Sequence, residues 1–230
     1  MKRIHSTSIQ SRLAALALWL GAASFSTADI LVDNLNESSV TLGWNDSSTF
    51  FIAGQFYTGS SAYTLNSITL DMYASYNTDG NFFVGIYSSG NADGTFTDGQ
   101  PVGLLEILSG EDSPSTDGQY TYTSSGLSLD ADSNYWVVTG VSSGAGEYIP
   151  ILTTSSSFTN PSGDANLRHM IYSDNAGSSW DGTYYSAASL KMRVDVAAVP
   201  EPATAGLMGI SCGVLWLIRR IKKAMNYYLT

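Results

Sequence analysis

The sequence predicts an all-β body, an antiparallel jelly-roll-like β-sandwich, flanked by an N-terminal signal peptide and a C-terminal transmembrane helix. Three observations predict it. Short apolar runs alternate with polar residues at the two-residue period of a strand. Gly, Asn, Asp and Ser cluster between these runs at turn spacing. Nothing between Asp29 and Val199 repeats its apolar residues at the helical period over a useful length.

Taken in order, the chain opens with a positive stretch, Lys2, Arg3 and Arg12, then an apolar run over residues 13–23 and the small residues Ser26-Thr27-Ala28. This is the build of a secretory signal peptide, residues 1–28, cleaved after Ala28. Strands are then expected at 30–32, 40–44 and 49–57. Ser67-Ile68-Thr69-Leu70-Asp71-Met72 alternates strictly, which places Ile68, Leu70 and Met72 on one buried face. Asn77-Thr78-Asp79-Gly80 supplies a turn, and 82–87 follows as a strand with Phe82, Val84 and Ile86 inward. Further strands are expected at 102–108, 119–123, 135–141, 148–153, 168–172 and 188–196. The last sets Met192, Val194 and Val196 against an opposite face of Lys191, Arg193 and Asp195. Segments 109–118 and 155–163 read as exposed loops. Many short strands joined by turns, with no repeat of fixed period, fit a sandwich spanning residues 29–197.

The body should end where Pro200-Glu201-Pro202 begins, because two prolines without N–H donors interrupt a sheet. Residues 203–218 carry no charge; at about 1.5 Å per residue they span roughly 24 Å, short of a bilayer core of about 30 Å. The long stems of Arg219, Arg220, Lys222 and Lys223 make up the difference by snorkelling. That basic cluster, 219–223, predicts a cytoplasmic C-terminus, with 224–230 as a short cytoplasmic end, and an exported body. The signal peptide requires the same topology.

The combination of Pro200-Glu201-Pro202, a short apolar span and a terminal basic cluster, together with a signal peptide, resembles the PEP-CTERM sorting signal of Gram-negative, exopolysaccharide-producing bacteria. The resemblance covers residues 198–223. It implies recognition by exosortase, a membrane protease-transferase, with a transient inner-membrane intermediate and delivery to the cell surface or the biofilm matrix. The seven residues 224–230 exceed many tails of that family. Segments of the body are similar to choice-of-anchor domains, type R in particular: Gln55-Phe56-Tyr57-Thr58-Gly59-Ser60, Tyr63-Thr64-Leu65-Asn66-Ser67-Ile68-Thr69-Leu70, Phe83-Val84-Gly85-Ile86-Tyr87-Ser88 and Asn134-Tyr135-Trp136-Val137-Val138. These are strand and turn signatures. They imply a fold and bring no catalytic residues.

All twenty acidic residues fall between Asp29 and Glu201, against three basic ones there, Arg168, Lys191 and Arg193, a net formal charge of −17. Nucleic acid is excluded as a partner by that balance, since phosphate binding needs clustered positive charge. The single cysteine, Cys212, lies in the tail, so the exported body is expected to rely on its core without a disulfide.

Motifs for catalysis are sparse. Gly209-Ile210-Ser211-Cys212-Gly213 fits the pattern of a hydrolase nucleophile elbow, yet it lies within the apolar span, where no strand-turn-helix can form it. His169 is the only histidine after signal removal, which rules out a two-histidine metal site. Asn91, Asp93 and Asp98 surround a glycine turn and offer oxygen ligands for calcium, although Val102 stands where such a loop places its bidentate Glu; the bland alternative is an ordinary Asx-rich loop. Trp136, among Tyr135, Val137 and Val138, reads as core. Trp180 with Tyr184 and Tyr185, in a turn-rich context, forms the candidate sugar-binding platform, with a capping role at the sandwich edge as its alternative.

The expectation is therefore a non-enzymatic exported surface or matrix protein. A carbohydrate-binding module for matrix exopolysaccharide is the second reading and requires an exposed aromatic row. A polysaccharide-processing enzyme is the third and requires a cleft with two facing carboxylates.

Overall fold

A computed structural model of the chain describes residues 28–40, 45–90, 99–153, 164–181 and 188–199. The body, Thr27–Val199, forms one compact unit. Among the described residues all regular structure is β, and every paired strand is antiparallel. The strands are β1 (Ala28–Asp33), β2 (Phe51–Tyr57), β3 (Tyr63–Asn77), β4 (Gly80–Ser89), β5 (Pro101–Ile107), β6 (Gly118–Thr123), β7 (Ser128–Leu129), β8 (Asn134–Gly144), β9 (Glu147–Pro150), β10 (Leu152–Thr153), β11 (Asn166–Ser173), β12 (Ser189–Leu190) and β13 (Met192–Ala198).

Two sheets carry the body. One runs β1-β13-β3-β6, with β7 and β9 also pairing along β3; the other runs β11-β2-β8-β4-β5. The strict alternation in β3 does what its pattern requires: Ile68, Leu70 and Met72 are fully buried, as are Met192, Val194 and Val196 beside them on β13. Phe82, Val84 and Ile86 of β4, with Ile52, Phe56, Tyr135 and Val137 of β2 and β8, complete the same core from the other sheet. Each such side chain contributes about 1.5–3 kcal/mol by leaving water. The core is thus the layer between two sheets, a sandwich-like arrangement.

Two predicted strands are broken, one directly after Pro150 and one at Lys191, which has no Gly or Pro beside it. The run 148–153 divides at Ile151 into β9 and β10, and the run 188–196 divides at Lys191 into β12 and β13. Both breaks meet at one backbone node: Ile151 N–H donates to Asp71 O (2.8 Å), Asp71 N–H to Lys191 O (3.1 Å) and Lys191 N–H to Ile151 O (2.9 Å). Beyond it β10 and β12 pair with each other in a small second ribbon, which Val40 extends through a bridge to Leu152. Lys191 corrects the expectation of an outward polar face. It is buried, with its ammonium 3.0 Å from Asp71 Oδ2 and donating to Ser39 Oγ at 3.0 Å. A buried ammonium needs such partners.

Candidate functional site

The outer face of the five-stranded sheet carries the body's second apolar cluster: Ala53, Trp136, Val138 and Ile171, with Phe51, Phe83, Tyr87 and Trp180 half-buried around them. Strand alternation explains the placement. With Phe82, Val84 and Ile86 inward, Phe83 and Tyr87 of β4 must face out, as Phe51 must on β2. Glycine makes room for two of these rings. A Cβ on Gly140 would run into the Phe51 ring, and one on Gly85 would meet Tyr87, Ile107 and Leu104 at 3.0–3.3 Å. Phe51 and Phe83 pack edge to face with centroids 5.2 Å apart, the arrangement that ring quadrupoles favour.

Trp180 reaches this cluster from a tightly bonded turn. Ser173 Oγ accepts from Asn175 N (3.3 Å) and Gly177 N (2.8 Å), while Asn175 Oδ1 accepts from Ser179 N (2.8 Å). Ala176 and Gly177 both take positive φ, 56° and 80°, and Ala176 N–H donates to Thr49 O (2.8 Å). Tyr172 and Asp181 then exchange both backbone bonds, at 3.1 and 2.8 Å, which closes the turn on the edge of β11. Trp180 is consequently a half-buried ring seated beside Phe51, neither a free platform nor a core residue.

Polar groups gather on the other side of Trp136. The Trp136 indole donates to Ser89 Oγ (3.2 Å), Gln55 Nε2 donates to the same oxygen (3.5 Å), and the His169 ring stands edge-on to Trp136 with centroids 5.8 Å apart. Arg168 lies over the Tyr57 ring at 5.3 Å, and the Tyr57 hydroxyl donates to Asp132 Oδ1 at 2.8 Å. That bond leads the causes that raise the Tyr57 phenol above its ordinary value. Trp136 is buried as expected, although it faces away from the layer between the sheets.

The sequence candidates fall unevenly on this geometry. Trp180 is placed; Tyr184 and Tyr185 lie outside the described residues, as do Asn91, Asp93 and Asp98 of the candidate calcium loop. Among the described residues no group of three or more His, Cys, Asp or Glu side chains is arranged to hold a metal. The sorting residues Pro200, Glu201, Pro202, Arg219, Arg220, Lys222 and Lys223 and the span 203–218 also lie outside, and among the described residues no helix is long and apolar enough to cross a membrane. Ala28, the expected cleavage residue, opens β1 opposite Ala197. Sequence reading passed over Phe51, Phe83 and Tyr87, though the phase of β4 already sends two of them outward. No protein family, curated protein or solved structure matches this chain.

Proposed function

We propose that the chain is a non-enzymatic exported protein of the cell surface or extracellular matrix, a jelly-roll-like sandwich sorted by its Pro-Glu-Pro, apolar and basic tail. The observation that carries this reading is where the body stops. Its last strand, β13, ends at Ala198, two residues before Pro200, and its first strand opens at Ala28. These two strands pair, Ala28 with Ala197 and Asp29 with Val196, so both ends of the body lie side by side. Cleavage after Ala28 removes one terminal ladder position and leaves the rest of β1 in place. Repeated crossing between the two sheets, as in β1 to β2 to β3 to β4, supports the jelly-roll reading. Replacing Pro200, Glu201 and Pro202 by alanine, in a Gram-negative host that carries an exosortase, should hold the protein uncut in the inner membrane. Surface delivery of the variant at the parental level would sink the proposal.

The aromatic outer face favours carbohydrate binding as a second reading. Phe51, Phe83, Tyr87 and Trp180, all half-buried, lie around the same Trp136 that donates to the Ser89 hydroxyl, a pairing of aromatic surface and hydrogen-bonding group that sugar rings use. A glycan array probed with the full chain should then lose its signal by about tenfold with Trp180→Ala, on the scale of about 1.4 kcal/mol for one stacking contact. An unchanged array would remove the face from consideration.

A further inference from the structure

Four of the large hydrophobic side chains that the body leaves in water sit on one strand. Val102, Leu104, Leu105 and Ile107 of β5 are 60, 51, 43 and 48% exposed. β5 is the terminal strand of its sheet and, among the described residues, pairs with β4 alone. Edge strands ordinarily carry charge or cover, because their unpaired N–H and C=O groups template further pairing. Two other edges keep that rule. The β11 edge is closed by Tyr172 and Asp181, and the β6 edge by Ser109, which exchanges two bonds with Thr123 at 2.9 and 2.7 Å. β5 has only Glu106, and both of its oxygens are occupied within the molecule, by Ser124 Oγ and Ser125 N at 2.6 Å each.

The order of residues names the occupant. Val102-Gly103-Leu104-Leu105-Glu106-Ile107 is self-complementary about its centre. The extra residue at Leu105 shifts the face alternation by one, so that Leu104 and Ile107 share a face, and a second copy laid antiparallel about the centre then brings Val102 towards Ile107, Leu104 towards Leu105, and Gly103 towards Glu106, each pair occurring twice. Apolar side chains meet apolar ones, and the two glutamates avoid each other. On a body with nineteen acids against three bases, a formal charge of −16, this is also a surface where two copies meet without facing acids. We propose that β5 is a self-association edge, through which two copies of this chain pair as a closed two-fold dimer. The cover over β11 stops the sheet from growing at its other end, and the register breaks at Leu105 and Val102 keep the new pairing short. One strand is well below the roughly 20–30 residues a side of a stable interface, so the contact is weak and needs the local concentration of a membrane or matrix to fill it.

The inference rests on the membrane or matrix placement proposed above but not on cleavage by an exosortase, and disulfide cross-linking of the full chain tests it. Two differently tagged copies, both Cys212→Ser, are co-expressed, one with Leu104→Cys and the other with Leu105→Cys. Mild oxidation should yield a disulfide-linked species of twice the mass that holds both tags, about tenfold above a pairing of Leu104→Cys with Thr121→Cys on the opposite sheet. Val102→Cys with Ile107→Cys should behave like the first pair. Absence of linkage from both β5 pairs, equal linkage from the Thr121→Cys control, or capture of the β5 thiols by a different protein would each overturn the proposal.

Discussion

Asp46 is a fully buried carboxyl group in a body whose core is mainly aliphatic and aromatic side chains. Its backbone pairs with Tyr148, and Oδ1 accepts from Ile52 N at 3.1 Å, while Oδ2 has no hydrogen-bond partner among the described residues. Burial pushes its pKa well above the ordinary carboxylate range, against the opposing pull of Thr139 and the Ile52 N–H. The folded state therefore holds the Asp46 proton more tightly than the unfolded chain does. Its contribution to stability is full below a pH of about 3.9, falls as pH rises from there through the raised folded value, and is lost above it. Asp46→Asn removes that loss. In melting curves between pH 4 and pH 8, the variant should gain on the parent as pH rises, by roughly 2–4 °C for each kcal/mol released. Parallel curves across the range would mean that the buried carboxyl does not titrate in the folded state. Neither Asp46 nor its neighbour Tyr122, another buried group whose oxygen lacks a partner among the described residues, stands out in the sequence. Their environments are assembled from segments on separate strands.

At the scale of elements, the node at Asp71, Ile151 and Lys191 decides where two long apolar runs bend out of one sheet into another. Deleting the Asp71 carboxylate strands a buried ammonium. Asp71→Ala should cost about 3 kcal/mol, the low end of the range for breaking a buried ion pair, because Asp71 itself retains some contact with water. The double variant Asp71→Leu, Lys191→Met removes both charges and should recover most of the loss. Urea denaturation checks it through the midpoint at constant slope; equal costs for the single and double variants would show that the pair is not what holds the bend. This node also marks the limit of what was legible in the chain. Strands β3, β4 and β13 bury one face each, so their two-residue period survives in the sequence and their inward residues follow from it. β8 is buried on both faces over most of its length, so its apolar run reads as core without saying which side Trp136 takes. The break at Lys191 carries no Gly or Pro, although the one at Ile151 directly follows Pro150, and the ion pair beside them joins residues 120 positions apart. The sorting motif, by contrast, is contiguous, and a contiguous signal needs no fold to be read.

For the whole molecule, the excess of negative charge is the property that acts over the longest range. Between Asp29 and Glu201 the chain holds twenty acids against three bases. Two of those bases are already engaged, Lys191 with Asp71 and Arg193 with Asp195, so most of the carboxylates have no cation of the body to face. They repel one another across a compact unit, which opposes folding. Screening should relieve this: the Debye length falls from about 30 Å at 0.01 M salt to about 8 Å at 0.15 M. The melting temperature of the full chain in non-ionic detergent should therefore rise with NaCl over this range by a few degrees, at roughly 2–4 °C per kcal/mol of repulsion removed, and then level off. Calcium at matched ionic strength separates general screening from a specific site. The loop holding Asn91, Asp93 and Asp98 has Val102 where a bidentate acid is needed, so the calcium and sodium curves should coincide. A calcium excess that disappears with Asp93→Asn and Asp98→Asn would instead place a cation on that loop, one bound by the oxygens of a body that has few positive charges of its own.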